Sequence, residues 1–241
     1  MRKRSAVAAV SLVLFFGVAL ASGAPRNYLI LSNKTGAGST DLTVAIAKAG
    51  GEVTARIPEI GVVLASSDNP DFLAKISKHS LVQQAAEDIE VEWINDGLVS
   101  GEGIPDFESE GLNSEPLSGY QWNLWQIGAD QSAAMGYLGY GARVAVLDSG
   151  IWSGHPDIVP NLNLELSKSF VPSEPGVDPV VYGFNHGTHV AGIIAAPVNN
   201  RGVQGVAPEA EIVAIKVLSS ETGSGSFGWI IQGLMYAASI R

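Results

Sequence analysis

Cysteine is absent from all 241 residues. No disulfide can hold the chain, so its folded parts depend on core packing, with a bound metal as the remaining possible staple. Charge is also scarce, and basic charge most of all: 14 Lys and Arg stand against 24 Asp and Glu, a formal net charge of −10. That balance lacks the basic footprint that binding to phosphate backbones requires, which excludes nucleic acid as a partner. Beyond the first 20 residues no apolar run is long enough to span a membrane. What is plentiful is apolar material, at 46% of the sequence, enough for a core and against disorder over most of the length. A chain of this size holds one large domain or two modest ones.

The first residues carry an export pattern. Arg2, Lys3 and Arg4 precede an apolar run from Ala6 to Leu20, and Ala19-Leu20-Ala21 or Ser22-Gly23-Ala24 offers the small residues of a cleavage point. The run is shorter than the ~20 residues of a spanning helix. Residues 1–24 therefore read as a signal peptide, with an uncleaved anchor as the alternative. The expected location is secreted, with no membrane attachment after signal cleavage.

Residues 25–95 read as a small α+β unit. Tyr28–Leu31, Glu52–Ile57, Gly61–Ala65 and Leu81–Ala85 have strand character. Asp41–Ala49 and a segment from Asp68-Asn69-Pro70 to about Lys78 have helical character, with Gly50-Gly51 and Pro70 as punctuation. The order β-α-β-β-α-β predicts the split-βαβ, ferredoxin-like arrangement. Residues 96–119 are acidic and rich in Gly and Pro, a linker open to proteolysis. From residue 120 to 241 the pattern changes to α/β. Arg143–Leu147 and Ile212–Leu218 are buried-strand candidates, and Ala129–Met135, His186–Ala196 and Phe227–Ser239 are helix candidates. Strands alternating with helices predict a mainly parallel sheet.

Two positions could do chemistry. Asp148 directly follows an apolar strand and precedes Gly150, and catalytic groups of parallel sheets gather at strand carboxyl ends. Taken alone it could equally be a turn or helix-cap Asp. His186 opens a helix of small residues; there the helix dipole disfavours imidazolium while a nearby carboxylate favours it, a balance that suits a general base. A lone His is more often structural, so the pairing matters more than either residue. His189, one turn on, reads as a packed core histidine.

The segment Val144-Ala145-Val146-Leu147-Asp148-Ser149-Gly150-Ile151, followed by His155-Pro156-Asp157, resembles the Asp block of subtilisin-like serine proteases, the subtilases. His186-Gly187-Thr188-His189-Val190-Ala191-Gly192 resembles their His block, and Gly202-Val203-Gln204-Gly205-Val206-Ala207-Pro208 the segment after it. The resemblance implies that residues 120–241 are the N-terminal portion of a parallel-sheet protease domain hydrolysing protein and peptide substrates. It implies that His186 is general base and then general acid, that Asp148 orients it, and that a serine attacks the peptide carbonyl. Residues 25–95 are similar, less distinctively, to the family's inhibitory propeptide of the I9 type. Such a segment assists folding and acts as an intramolecular inhibitor until cleaved. A pH trigger for its release at His79 is a further expectation.

The family's nucleophile lies in a Gly-Thr-Ser-Met-Ala-like block far to the C-terminal side, as does its oxyanion-hole Asn. Neither is identifiable before Arg241, and Ser149 matches no nucleophile motif. The chain is therefore expected to be C-terminally truncated and inactive alone. In that case it could serve instead as a secreted binding or inhibitory module.

Three smaller readings complete the picture. Gly223-Ser224-Gly225-Ser226-Phe227-Gly228 matches the dinucleotide fingerprint G-x-G-x-x-G. The resemblance gives a different account: Gly223, Ser224 and Gly225 as the extended segment that pairs with substrate backbone, with Phe227 beside an apolar side-chain pocket. His186-x-x-His189 with Asp148 could form a metal hydrolase cluster, although the H-E-x-x-H pattern is missing. No cofactor is required for the chemistry, but the resemblance implies a structural calcium held by Asp157 and Asn199, each of which could otherwise serve an ordinary Asx turn.

Overall fold

A computed structural model describes residues 24–36, 42–94, 115–181 and 183–241. The signal peptide read at 1–24 lies outside these residues but for Ala24, and the linker read at 96–119 lies outside them up to residue 114.

The first unit is a four-stranded antiparallel sheet. Strands β1 (Arg26–Ser32), β2 (Glu52–Ile57), β3 (Val62–Ser67) and β4 (Val82–Glu87) lie in the order β2-β3-β1-β4. With helices α1 (Leu42–Ala49) and α2 (Phe72–Ile76) between them, the chain order is β-α-β-β-α-β, the split-βαβ topology. One sheet face is apolar because strand side chains alternate. Tyr28, Ile30, Val63 and Ala65 meet Leu42 and Ile46 of α1 and Phe72 and Ile76 of α2 in a single core. The helix expected from Asp68 to Lys78 is shorter than its pattern: the Asn69 side chain accepts from Asp71 N–H at 3.0 Å and its backbone carbonyl accepts from Phe72, so a turn occupies the positions a longer helix would take.

The second unit is built on a parallel sheet of β6 (Arg143–Asp148), β8 (Glu211–Lys216) and β7 (Lys168–Ser169), in the order β6-β8-β7. Its strands are apolar on both faces because helices cover both. Val146, Ile212 and Ala214 pack against Ala191 and Ala195 of α5 (His186–Ala195). Val213, Ile215 and Val217 face Trp229, Ile230 and Tyr236 of α6 (Phe227–Ser239). Two short helices, α3 (Trp122–Gln126) and α4 (Ala129–Ala134), precede the sheet. The register Asp148↔Lys216 and Ser169↔Lys216 brings the carboxyl ends of all three strands together.

The two units meet through a strand pair. β5 (Glu90–Glu92) runs antiparallel to β9 (Ser224–Ser226), with Val91 opposite Gly225. Beyond it, Trp93 and Ile94 both donate their N–H to the Gly223 carbonyl, at 3.0 and 3.2 Å. The first sheet also reaches the start of α6, where Asp88 accepts from Gly228 N–H at 3.2 Å. In the stretch read as the end of the linker, Glu115 and Ser118 are buried, and the Glu115 carboxylate accepts from the backbone of Asn199, Asn200 and Arg201 at 2.7–2.8 Å.

Candidate active site

Asp148 ends β6 and is 8% exposed. His186 is the first residue of α5, 38 positions later in the chain, and the fold brings the two into contact. Nδ1 of His186 lies 2.8 Å from Oδ2 and 3.0 Å from Oδ1 of Asp148, while the imidazole stays half exposed. In the neutral ring Nδ1 then carries the proton and donates to the carboxylate, which leaves Nε2 free to accept one. A carboxylate fixed behind an imidazole stabilises the imidazolium formed by that transfer.

Two glycines let helix and strand approach this closely. A Cβ on Gly187 would stand 2.3 Å from the Gly150 carbonyl and 3.0 Å from Asp148 Cβ. Gly150 turns the chain with φ +100°, and a Cβ there would stand 2.3 Å from the Val177 carbonyl. Around them Ser149 is fully buried, its Oγ donating to the Phe184 carbonyl at 3.1 Å and accepting from Gly187 N–H at 3.3 Å. Its hydroxyl is a brace between the two chemical residues. Thr188 supports the same turn by accepting from Trp152 N–H at 2.9 Å.

The glycine-rich segment lies alongside. Ser224 and Gly225 are the first two residues of β9, Gly223 precedes it, and Phe227 opens α6. The backbone groups expected to pair with an extended peptide are paired with residues 90–94 of this same chain. Trp93 adds a hydrogen bond from Nε1 to the Gly225 carbonyl, 3.1 Å, and meets the Phe227 ring edge-on with centroids 5.9 Å apart. The dinucleotide reading fails here for a physical reason. The position a pyrophosphate would take, at the start of α6, is occupied by the Asp88 carboxylate, a like charge.

His189, expected in the core, is exposed instead and lines an open cavity of about 630 Å³ with Trp152, His155 and Asn185. Its side chain does not join His186 and Asp148 in a ligand set; no group of three or more His, Asp or Glu among the described residues is arranged to hold a metal ion. Asp157 and Asn199 are neighbours. Asn199 Nδ2 donates to Asp157 Oδ1 at 3.2 Å, and Val203 N–H donates to Asp157 Oδ2 at 3.2 Å. Asp157 is buried, and Asn199 Oδ1 is buried with no hydrogen-bond partner. A buried carboxylate beside an unsatisfied amide oxygen fits the hard oxygen-ligand chemistry of calcium.

Sequence reasoning missed Glu115, which shapes the 199–201 loop, and a buried ion pair between Lys216 and Glu174 at 2.6 Å. Burial pushes the Glu174 carboxyl up, but hydrogen bonds from Lys216, Ser219 and Ser220 outweigh it and hold the group down to about 2. Burial raises the Asp88 carboxyl above its ordinary value, against the opposing hydrogen bonds of Gly228, Ser226 and Phe227.

Comparison with known proteins places this geometry. Residues 139–241 match the Subtilase family, peptidase S8. Over 132 residues the chain is 47% identical to subtilisin E of Bacillus subtilis, covering 55% of this chain and 33% of that protein. It is 50% identical over 118 residues to subtilisin of Bacillus pumilus, covering 49% of this chain and 40% of the other. The match thus spans 33% and 40% of the length of these two relatives. The crystal structure of fervidolysin from Fervidobacterium pennivorans, a keratinolytic enzyme related to subtilisin, superposes with a TM-score of 0.67 at 24% identity, covering 89% of this chain and 34% of that one. That likeness concerns the fold.

Proposed function

We propose that the protein is a member of the Subtilase family, whose model residues 139–241 match, and that it is the precursor of a secreted serine endopeptidase. In this reading Asp148 and His186 are two members of its triad. The observation that carries it is the 2.8 Å contact between His186 Nδ1 and Asp148 at the carboxyl end of a parallel strand. Nε2 of His186 takes the proton of a serine hydroxyl as that oxygen attacks the peptide carbonyl, then returns it to the leaving amine. Asp148 holds the ring in the productive tautomer and steadies its charge. The serine and the oxyanion donor are expected outside residues 1–241, so this stretch alone is expected to be inactive; one oxyanion donor by itself is worth ~10²–10³ in rate.

Residues 25–95 act as the intramolecular inhibitor. The pairing of β5 with β9 supports this, because residues 90–94 occupy the edge that Gly223, Ser224 and Gly225 would offer to an extended substrate. Phe227 borders a subsite for an apolar or aromatic side chain, the place Trp93 takes in the precursor. Asp157 and Asn199 supply oxygens to a structural calcium. Export by residues 1–24 completes the reading; no helix among the described residues is long and apolar enough to cross a membrane.

The test uses the protein carried through its serine block. Labelling by a fluorophosphonate and hydrolysis of a peptide substrate are expected, and His186→Ala should lower kcat by roughly 10⁴ or more. Hydrolysis that survives His186→Ala unchanged would remove the reading.

A further inference from the structure

Lys216 is the last residue of β8 and its side chain is 0% exposed; Glu174, in the loop after β7, is 6% exposed. Neither forms a hydrogen bond or ion pair with the Asp148 or His186 side chain. Burying such a pair is expensive in desolvation and often no better for stability than apolar residues of the same shape, so a buried ion pair asks what its geometry achieves.

Its geometry ties three segments together. On the first side, Glu174 accepts from Ser219 Oγ at 2.5 Å, from Ser220 Oγ at 2.5 Å and from Ser220 N–H at 3.1 Å. Ser219 in turn braces the substrate strand at both ends of a tight loop: its N–H donates to the Ser224 carbonyl at 2.7 Å, and its carbonyl accepts from Gly223 N–H at 2.9 Å. On the second side, Lys216 Nζ donates to the Asp178 carbonyl at 2.8 Å, and Ser220 Oγ accepts from Val180 N–H at 2.8 Å, which fixes the loop leading to His186. On the third side, the aliphatic stem of Lys216 lies under the Asp148-Ser149-Gly150 turn, its Cδ 3.2 Å from where a Gly150 Cβ would be. All donors and acceptors of the pair are thus spent on segments that must keep register with one another.

We propose that the Lys216–Glu174 pair is a positioning device that sets the height of the peptide-binding strand, Gly223 to Ser226, relative to the Asp148–His186 pair. This rests on the protease reading above. The dyad has its own direct contact and the Gly187 approach, so it stays formed when the ion pair is lost. The strand also reaches Asp148 through backbone, since Gly225 packs on Val217 and Leu218, whose N–H groups donate to the Asp148 carbonyl at 2.9 and 3.2 Å; its loop end, Gly223 and Ser224, is held through Ser219, which with Ser220 bridges to Glu174. Loss of the pair therefore shifts where an extended peptide lies, and displacements of about 1 Å cost up to ~10²-fold in rate.

The experiment compares two substrates on the mature, active protein: a tetrapeptide amide, long enough to lie along 223–226, and a single-residue ester that does not reach the strand. Glu174→Gln should lower kcat/KM for the tetrapeptide roughly 10-fold or more, with KM rising, while ester hydrolysis changes less than about 3-fold. Because Glu174→Gln leaves a buried ammonium unpaired, two further variants accompany it. Ser219→Ala removes the side-chain hydrogen bond from the residue that braces the strand to Glu174, and strands no charge. The double variant Glu174→Gln with Lys216→Met removes the charge altogether. Both should fold by circular dichroism and show the same loss of preference for the longer substrate. Equal losses on both substrates, or an unchanged ratio in Ser219→Ala and the double variant, would overturn the inference. A wild-type protein inert toward the ester would instead overturn the protease reading, so the two failures are distinguishable.

Discussion

Glu174 is a buried carboxylate with five donors around it, from Lys216, Ser219, Ser220 twice and Glu221. Its pKa is held to about 2 against an ordinary 4.5. A carboxyl whose pKa is depressed on folding contributes stability that is fully present above the unfolded value and lost as pH falls through the folded one. The window is therefore pH 4.5 down to about 2, and the contribution at stake is on the order of 3 kcal/mol at most. Urea midpoints measured across that range should fall for the native protein and fall less for the Glu174→Gln, Lys216→Met double variant. Parallel curves would mean that Glu174 has no part in acid lability. The residue was not legible in advance. It sits in the polar, Pro-containing run Val171-Pro172-Ser173-Glu174-Pro175, where a Glu is ordinarily solvated, and Lys216 lies inside the Ile212–Leu218 strand candidate with no acidic neighbour in that run to announce a partner. Asp148 and His186 were legible because each stands in an unbroken motif whose neighbours are also constrained. Gly150 and Gly187, for instance, sit where a methyl group would collide with backbone.

Elements divide by how local their causes are. β6, β8, α5 and α6 could be read from runs of apolar residues, since each buries a continuous face. β5, β7 and β9 are two or three residues long and exist only because a distant strand pairs with them, so no periodicity announces them. The junction between the units shows this at one residue. Asp88, in the bend between β4 and β5, accepts from a first-turn N–H of α6, so one unit satisfies a helix terminus of the other. Burial raises its carboxyl pKa in the docked state, so the charged form is the costly one there. A carboxyl raised on docking favours the docked state at low pH, and that advantage is lost as pH rises through its docked pKa. Asp88→Asn, which keeps an acceptor without the charge, is expected to hold the first unit at neutral pH at least as tightly as the native residue. Asp88→Ala should weaken it by ~1 kcal/mol. Dissociation constants of a cleaved residue 24–94 unit for the remainder would decide it; Asn binding as weakly as Ala would show that the negative charge itself is what the helix requires.

At the scale of the molecule, the loop 199–203 is where the chain before the sheet is fastened to the sheet unit. Glu115 grips its first three N–H groups, Gln121 and Gln204 exchange hydrogen bonds at 2.7 and 2.9 Å, and Asp157 takes Val203. Calcium added to the folded protein should raise its melting temperature, by an amount equivalent to ~2.7 kcal/mol at a hundredfold excess over Kd. Asp157→Ala should abolish the rise. A melting temperature that chelator and calcium leave unmoved would dismiss the ion. The alternation of strands and helices made both architectures readable, whereas the side-chain contacts of the junction, Asp88 at the start of α6 and Trp93 against Phe227, were not, because they depend on surfaces that only folding creates.

The β5–β9 pair also has a kinetic consequence. Residues 94 and 115 are both held, one at Gly223 and the other at the 199–201 loop, so the peptide in the groove cannot diffuse away while residues 95–114 connect them. A tethered occupant of this kind competes at an effective concentration in the millimolar range, whatever its intrinsic affinity. If the groove takes peptides as proposed, an outside peptide of equal affinity at micromolar levels is expected to lose that contest by about a thousandfold until the tether is severed, after which dilution alone begins to open the groove.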